Sequence, residues 1–303
     1  MAGDNDAIER AGVRLTHPGR VLFPGQGLSK ADLADHYAAV ADRMLPHVEK
    51  RPLSLVRCPS GSGKACFFQK HDTGGFPAAM RRVPIAEASG AKATYFHVAD
   101  LAGLIAGEQM GVLEFHIWGS RIDAVEKPDR LVFDLDPDVG LDFAHVRRAA
   151  FDVRDRLAAL GLKSFALLTG GKGIHVVAPL VRRAAWPEVK TFARNFAALL
   201  ETQAGDRYVA NMAKAKRKGL IFVDYLRNER GSTAIAPYST RARDGAPVAT
   251  PVGWDELDAI EAANAFTVKT LPTRLRQVGD PWPGYFDARQ SITRTMAKSV
   301  GPA

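Results

Sequence analysis

The pattern that most constrains the fold is an apolar run that ends in two acidic residues. It spans residues 131–136 and has the sequence LVFDLD. An apolar run bounded by a proline is typical of a buried strand, and here Pro137 ends it. Side chains alternate along a strand, so Asp134 and Asp136 share one face. The run therefore predicts a strand over residues 130–135 with two carboxylates on the same side.

Two carboxylates held this close repel each other in a half-buried site unless positive charge lies between them. A hard divalent cation meets that need, because it prefers oxygen ligands. The structural alternative is a polar strand end with turn-forming aspartates, since an isolated Asp-x-Asp is common. The position of Asp134 and Asp136 at the end of an apolar run favours the metal site.

A third acid follows another apolar run, residues 220–225 with the sequence LIFVDY. Asp224 is costly to bury there unless it is paired or metal-bound. Three acids on neighbouring strands would form a two-metal site, which activates an attacking oxygen and stabilises the leaving oxygen of an in-line phosphoryl displacement. The residues thus indicate phosphoryl or nucleotidyl transfer, or phosphodiester hydrolysis.

A glycine-rich turn lies between the two acidic runs, at residues 168–176 with the sequence LTGGKGIHV. The pattern predicts strand, turn, strand, with backbone amides that can approach a phosphate closely. Thr169, Lys172 and His175 add side-chain donors. Turn glycines beside a solvated lysine are the simpler interpretation, but three donors around a bare turn favour a triphosphate.

The rest of the chain alternates strand-like and helical segments without an internal repeat. Ser29 predicts the start of a helix that runs to about Met44 and is closed by Pro46. The pattern indicates an α/β or α+β enzyme with mixed sheets, in one composite domain over residues 1–303, with a core at about 12–288 and loose ends. The other predicted strands span residues 53–57, 66–69, 112–118, 165–179 and 220–225, and the other helices 100–110, 143–160 and 186–202.

The chain is basic, with 41 Lys and Arg against 33 Asp and Glu, and a formal charge of +8. This excess favours a polyanionic partner such as nucleic acid, although a mild excess also merely solubilises a surface. Cys58, Cys66 and His71 lack the spacing of a zinc site, so two reduced thiols are expected. With no apolar stretch near the start to act as a signal peptide or membrane anchor, we expect a cytoplasmic protein.

Taken in order, these motifs resemble the polymerase domain of bacterial ligase D, a branch of the archaeo-eukaryotic primase superfamily that acts in non-homologous end joining. The resemblance runs from residues 15–24, LTHPGRVLFP, to about Tyr285. It implies a primase-like fold with mixed sheets flanked by helices. Asp134 and Asp136 match the first metal motif of the family, Thr169 to His175 the nucleotide-binding motif, and Asp224 the third metal ligand.

The resemblance also implies contacts with DNA. The segment FFQKH at residues 67–71 is similar to the segment whose aromatics pack on the templating strand, and an exposed ring there could stack a base for roughly 1–3 kcal/mol. Arg20 and Lys30 match basic residues that grip a 5′-phosphate at a gap or break. Arg20 replaces the usual lysine, which keeps the charge and adds a bidentate fork. The implied DNA-binding residues are Arg20, Lys30, Phe67, Phe68 and Lys70.

Further matches imply contacts with an incoming triphosphate. His116 lies in a segment whose histidine is placed by the active site in this family, although a core histidine is nearly as common. Residues 225–228, YLRN, and 238–243, YSTRAR, resemble segments that supply cations. Thr169 stands where the family commonly has serine, which keeps the hydroxyl. The implied nucleotide-binding residues are His116, Thr169, Lys172, His175, Arg227, Arg241 and Arg243.

The resemblance implies a nucleotidyltransferase that extends a primer 3′-hydroxyl with NTP or dNTP, using two Mn²⁺ or Mg²⁺ ions. It also implies a preference for ribonucleotides and manganese, action at DNA gaps and broken ends in the nucleoid, and Ku and a DNA ligase as partners. Three alternatives stay open: a metal-dependent nuclease or phosphodiesterase, a DNA end-binding module without synthesis, and de novo priming.

Overall fold

The structure is a computed structural model that describes residues 7–301. Both strands and helices occur along this range. The strands are β1 (Ala7–Arg10), β2 (Val13–Thr16), β3 (Val21–Phe23), β4 (Leu28–Ser29), β5 (Leu53–Arg57), β6 (Phe67–Gln69), β7 (Arg81–Ala86), β8 (Lys92–His97), β9 (Val112–Trp118), β10 (Arg130–Pro137), β11 (Phe165–Leu168), β12 (Ile174–Pro179), β13 (Tyr208–Val209), β14 (Ile221–Asp224), β15 (Thr233–Ile235) and β16 (Thr250–Val252).

The helices differ widely in length, and the three longest have 17 to 19 residues. They are α1 (Lys30–Val48), α2 (Leu101–Gln109), α3 (Phe143–Ala159), α4 (Trp186–Gln203), α5 (Trp254–Leu257), α6 (Leu271–Gln277) and α7 (Arg294–Ser299). None of the helices that the structure describes combines the length and the apolar character that crossing a membrane requires.

The chain divides into two compact units, and each unit is assembled from three separate stretches of sequence. Unit 1 comprises Met1–Ile117, Ile235–Ala249 and Phe266–Gln277. Unit 2 comprises Trp118–Ala234, Thr250–Ala265 and Val278–Ala303. Whether the two act as one composite domain stays a prediction.

Unit 1 is built around a sheet with the strand order β15-β9-β5-β8-β7, and β6 pairs with β5 at the side of this path. The sheet packs with α1 and α2 around one apolar core. Tyr37 of α1 meets Phe115 of β9 edge to face, with ring centroids 5.4 Å apart, and Phe76 packs on Phe96 of β8 at 4.5 Å. Helix α1 contributes one apolar stripe to this core, and its four residues are fully buried: Leu33, Tyr37, Val40 and Met44.

Helix α1 begins where the sequence predicts but ends later. The Ser29 side chain accepts from the Asp32 amide, and the Asp32 carboxylate accepts from the Ser29 amide, so the two residues form a capping box. The prediction that Pro46 closes the helix is wrong, because the helix continues through Pro46 to Val48. Proline removes one helical hydrogen bond, and near a helix end the burial of Val48 in the core offsets that loss.

Unit 2 is built around a six-stranded sheet with the order β13-β14-β10-β12-β11-β16. The β13–β14 pair is parallel and the other pairs are antiparallel, so the sheet is mixed. Helix α4 covers one face, where the Phe196 ring lies 4.6 Å from the ring of Phe133 on β10. Because neighbouring side chains alternate, Asp134 points to the other face. The mixed α/β (α+β) class predicted from the sequence is confirmed.

Several strands of unit 1 escaped prediction, among them β7 and β8. Strand β7 has the sequence RRVPIA, and a proline in mid-strand argues against a central strand. In the structure β7 lies at the edge of the sheet, which is the position where a strand tolerates proline. The local sequence does not show which strand lies at an edge.

The two cysteines form a disulfide, so the prediction of two reduced thiols is wrong. Cys58 and Cys66 have Cα atoms 4.4 Å apart. The register of the β5–β6 hairpin explains the pairing: Arg57 lies opposite Phe67, and the next residues towards the turn are Cys58 and Cys66. The separation of eight residues between the two cysteines does not predict this register. The bond rules out a zinc site built on these two sulfurs.

Parts of the ends that the sequence predicts to be loose have regular structure. Residues 7–10 form β1 and pair with β2, while residues 294–299 form α7 with Thr293 as its N-cap. Residues 1–6 and 302–303, which belong to the same prediction, lie outside the described residues.

Glu108 on α2 is a fully buried carboxyl group in unit 1. Among the described residues neither of its carboxylate oxygens has a hydrogen-bond partner. Burial raises the pKa of Glu108 from its ordinary 4.5 to about 8, although the nearby charge of Lys30 opposes the shift. Between these two values the folded chain holds a proton that the unfolded chain has lost. Stability from this group is therefore complete below pH 4.5 and is lost as the pH rises through 8.

We expect Glu108→Gln to remove this loss. At pH 8 the variant should be about 1–3 kcal/mol more stable than the parent, and at pH 5 the two should be nearly equal. Urea unfolding at both pH values measures the difference, with Glu9→Gln, an exposed acid of the same unit, as the control. Equal pH dependence in parent and Glu108→Gln would contradict the assignment.

Candidate active site

Three carboxylates meet on the face of the unit 2 sheet that points away from α4. Asp134 of β10 lies directly opposite Asp224 of β14 in the antiparallel register, and Asp136 follows two residues along the same face. One carboxylate oxygen from each residue lies within 4.8 Å of the others. Asp134 and Asp224 are buried, and Asp136 is half-buried. The structure thus brings the three predicted metal ligands together.

Two cationic or potentially cationic side chains contact Asp134, one at each carboxylate oxygen. His175 lies opposite Asp134 on β12, and its Nε2 is 3.3 Å from Asp134 Oδ1. Arg227 donates from Nε and Nη2 to Asp134 Oδ2 at 3.1 and 3.0 Å, and its Nη2 also lies 3.2 Å from Asp224 Oδ2. Arg227 therefore bridges the two strands that carry the acids.

The pKa values of the three acids diverge because their surroundings differ. Burial alone would raise the pKa of Asp134, but the charges and hydrogen bonds of His175 and Arg227 lower it to about 2. Burial and repulsion by Asp134 raise the pKa of Asp136 to about 6. Burial also raises the pKa of Asp224, against the opposing charge of Arg227. The cluster carries more negative charge than its own cations balance.

These features fit a divalent cation. Carboxylate oxygens are the donors that Mg²⁺ and Mn²⁺ prefer, and three converge here from two adjacent strands. A bound cation would also relieve the repulsion that raises the pKa of Asp136. Asp134, Asp136 and Asp224 are therefore the residues that would hold the metal.

The glycine turn joins β11 to β12 beside the acids, as the sequence predicts. The Thr169 hydroxyl is buried and donates to the carbonyl of Gly173 at 2.9 Å, so it holds the turn closed. Lys172 at the tip is exposed. Gly170 has a φ of 68°, which favours glycine, and its amide donates to the Ala263 carbonyl.

Gly173 lies where the turn comes closest to the acid-bearing strand. A Cβ placed on Gly173 would come within 2.5 Å of the Leu135 carbonyl oxygen and within 3.5 Å of an Asp136 carboxylate oxygen. Only glycine allows this approach without a shift of β10 or of the turn. The sequence shows the glycine but not this reason for it.

Asn228 holds the segment that carries Arg227, a role that no sequence motif indicates. It is buried at the end of the short 3-10 helix Leu226–Asn228 that follows β14. Its amide accepts from the Val132 amide at 2.8 Å and donates to the Val132 carbonyl at 2.7 Å. The side chain thereby takes the place of a neighbouring strand at Val132, which lies two residues before Asp134 on the same face of β10.

Arg217 is a second residue that the motifs did not reveal. Phe222 lies opposite Asp136 in the β10–β14 register, so its ring belongs to the carboxylate face. The Arg217 guanidinium carbon lies 3.7 Å from the centroid of that ring. The signal in the sequence is the basic run KAKRK at residues 214–218, shortly before Asp224.

The other predicted site residues belong to unit 1, and several of them share one face of its sheet. Phe68 of β6, Val56 of β5 and Glu114 of β9 form one cross-strand row. His116 follows Glu114 on the same face, and its ring lies 5.5 Å from the ring of Phe68. Phe67 is equally exposed but points to the opposite face, where Arg57 lies over its ring.

The remaining predicted residues of unit 1 differ sharply in exposure. Arg20, Lys70 and Arg243 are exposed, whereas Arg241 is mostly covered and its Nε lies 3.1 Å from Glu114 Oε2. Lys30 is buried, and its Nζ donates to the Thr16 carbonyl and to the Gln109 carbonyl and side-chain oxygens at 3.0–3.1 Å. Its three hydrogens are thus already used within the unit.

Comparisons with known proteins agree with the motifs. A family model described as LigD, primase-polymerase domain, matches residues 29–282. The chain is 40% identical over 298 residues to the multifunctional non-homologous end joining protein LigD of Pseudomonas aeruginosa, and 36% identical over 270 residues to that of Mycolicibacterium smegmatis. These matches cover 96% and 88% of this chain. The chain spans only 35% of the length of either relative.

Among solved structures, the chain is similar to the polymerase domain of Mycobacterium tuberculosis ligase D in complex with DNA. The TM-score is 0.85 at 33% sequence identity, and the match covers 92% of this chain and 99% of that one. The resemblance inferred from the motifs is thereby confirmed, and so is the primase-like fold that it implied.

We expect Gly173→Ala to damage the carboxylate site, because its Cβ would push on the backbone between Asp134 and Asp136. The loss should be about 1–3 kcal/mol in unfolding free energy, with weaker Mn²⁺ binding in an electron paramagnetic resonance titration. Gly279→Ala is the matched control, since no atom lies within 4 Å of the position of its Cβ. Parent-like Mn²⁺ affinity in Gly173→Ala would contradict the role given to this close approach.

Proposed function

The chain belongs to the LigD primase-polymerase domain family, and from that premise we propose that it is a nucleotidyltransferase that extends the 3′ end of a DNA strand at gaps and broken ends. The observation that carries the proposal is the meeting of Asp134, Asp136 and Asp224 on one sheet face, beside the glycine turn. This arrangement suits phosphoryl chemistry on a polyphosphate.

The chemistry follows from what the acids can hold. When bound at Asp134, Asp136 and Asp224, two Mn²⁺ or Mg²⁺ ions supply the positive charge for attack of a primer 3′-hydroxyl on the α-phosphate of a nucleoside triphosphate and for departure of pyrophosphate. His175 orients the Asp134 carboxylate, and Arg227 adds positive charge between the two acid-bearing strands. Lys172, exposed on the turn beside the acids, reaches the phosphates.

The substrate and partners are proposed from the relatives. Their names place them in non-homologous end joining, and the solved neighbour is a polymerase domain in complex with DNA. On these grounds we assign DNA with broken ends to this chain as its substrate. Action at gaps, Ku and a DNA ligase as partners, and a preference for ribonucleotides and manganese are proposed from the resemblance of the motifs to this family. The basic charge of the chain, +8, suits a DNA substrate. The place of action is the cytoplasm, at the nucleoid.

His116, Arg241 and Arg243 of unit 1 are assigned to a triphosphate from the family resemblance of their segments. Thr169 and Arg227 of unit 2 are assigned to a triphosphate from their own motifs. Phe68 and Lys70 are assigned to the templating strand, and Phe67, on the opposite face of β6, to a different part of the DNA. Arg20 is exposed and suits a contact with a 5′-phosphate. Lys30 is assigned a structural role near Arg20, because its ammonium group donates to Thr16 and Gln109.

We expect the parent to extend a labelled primer on a gapped duplex with NTP and Mn²⁺, and Asp134→Asn to lower kcat by about 10³-fold or more. Asp134→Asn should also lose Mn²⁺ binding in a titration without DNA. The matched control is Asp206→Asn, which changes an exposed acid in the same unit and should keep both properties.

The same assay separates the rival functions. Loss of the end label without extension would replace the polymerase with a metal-dependent nuclease. Binding of the gapped duplex without extension, under every metal and nucleotide, would leave an end-binding module. Synthesis on a template that lacks a primer would add de novo priming to the activity.

We expect Arg20→Ala to impair DNA binding and Lys30→Met to impair stability. Arg20→Ala should weaken binding to a gapped duplex by about tenfold only when the downstream end carries a 5′-phosphate, because one charge-assisted contact is lost. Lys30→Met should lower the unfolding free energy by about 2 kcal/mol, because it removes the donor that the half-buried Thr16 and Gln109 carbonyls share. Fluorescence anisotropy with phosphorylated and unphosphorylated DNA, beside urea unfolding, measures both effects. A normally stable Lys30→Met that loses phosphate discrimination would contradict this division.

A further inference from the structure

Glu114 is a buried acid in unit 1 whose partners come from two different parts of the chain. It lies on β9 with a side chain that is only 7% exposed. Its Oε2 accepts from His116 Nε2 at 2.8 Å and lies 3.1 Å from Arg241 Nε. Its Oε1 accepts from the Ala242 amide at 2.8 Å. A buried carboxylate persists only when it is paired and hydrogen-bonded, and this one is.

These contacts fix two side chains that point to the same surface. Glu114 and His116 are two residues apart on β9 and therefore share a face, which also carries the exposed ring of Phe68. Arg241 reaches this face from the segment that follows β15. The ion pair with Glu114 holds its guanidinium group beside the carboxylate, and the hydrogen bond between His116 Nε2 and Glu114 Oε2 sets the orientation of the His116 ring.

The backbone of the Arg241 segment is held by contacts of its own. The Ser239 hydroxyl accepts from the Phe115 amide at 2.9 Å, and the Thr240 hydroxyl donates to the Leu113 carbonyl. The Thr240 hydroxyl also contacts the hydroxyl of Tyr37 on α1 at 3.0 Å. The segment therefore stays attached to β9 without the Glu114 carboxylate charge. What Glu114 adds is the orientation of the two side chains.

We propose that Glu114 is a positioning residue that holds His116 and Arg241 ready for the phosphates of an incoming nucleoside triphosphate. This inference rests on the proposed function, which assigns both side chains to the triphosphate. Glu114 touches neither substrate nor metal in this scheme and acts through its two partners. Its single negative charge keeps the two polar groups in one arrangement, so a bound triphosphate meets donors that need no reordering.

The variant Glu114→Gln separates orientation from folding. The amide keeps the size of the side chain and an oxygen that can accept from the Ala242 amide, but it removes the charge that Arg241 and His116 share. We expect KM for GTP to rise about tenfold while kcat changes less than threefold and the thermal midpoint stays within a few degrees. Glu108→Gln is the matched control, a buried acid of the same unit that contacts neither His116 nor Arg241, and its KM should equal that of the parent.

A double-mutant cycle tests whether Glu114 acts through Arg241. Arg241→Ala should raise KM strongly in the parent and only about two- to threefold further in Glu114→Gln, because the second change removes a side chain that is already misplaced. Additive effects, or a parent-like KM in Glu114→Gln, overturn the proposal. If Glu114→Gln lowers the thermal midpoint sharply, measurements at a temperature where it is fully folded keep the cycle decisive.

Failure of the proposed function would look different. A parent that extends no primer overturns the polymerase assignment. Isothermal titration of GTP with Mn²⁺ into the parent and Glu114→Gln then decides the inference by itself. Weaker GTP binding in Glu114→Gln supports the positioning role, whereas equal binding, or no binding by the parent, overturns it.

Discussion

Repulsion among Asp134, Asp136 and Asp224 is the constraint around which unit 2 is arranged. Antiparallel pairing places Asp134 directly against Asp224, and a cross-strand pair of like charges destabilises a sheet unless something offsets it. His175 and Arg227 offset it at Asp134, but burial and mutual repulsion keep the pKa of Asp136 high. Asn228 and Gly173 then hold the neighbouring chain segments against the strand that carries the acids. A bound divalent cation would offset the repulsion that remains among these carboxylates.

The same grouping of side chains appears in unit 1. Glu114 is paired with His116 and Arg241 as Asp134 is paired with His175 and Arg227, and in both cases the partners outweigh burial, so that the pKa of the carboxyl group falls to about 2. Glu108 shows the contrast, because burial without a hydrogen-bond partner raises its pKa to about 8. Burial alone therefore does not decide the charge of an acid in this protein. The partners decide it, and paired acids organise the residues that we assign to catalysis.

The sequence was informative where chemistry and local periodicity coincide. Period-two alternation placed Asp134 and Asp136 on one face, and the cost of burying a lone acid pointed to Asp224. Contacts between residues that are distant in the sequence could not be predicted from it. The Cys58–Cys66 bond depends on a hairpin register. The burial of Lys30 depends on its contacts with Thr16 and Gln109. The roles of Glu114 and Asn228 depend on segments more than 90 residues away in the sequence. Pro46 misled because packing of Val48 outweighed a local helix-ending signal.

The two units also share one chain in a way that constrains how the protein can be divided. The sequence passes from one unit to the other at residues 117/118, 234/235, 249/250, 265/266 and 277/278. A cut at any of these points removes part of the core of a unit; a fragment ending at residue 117, for example, lacks Ala236, Tyr238 and Val248 of the unit 1 core. Neither unit is a continuous fragment that could be expressed, exchanged or duplicated alone. A recombination event that keeps the core of either unit intact therefore has to carry segments of both units together.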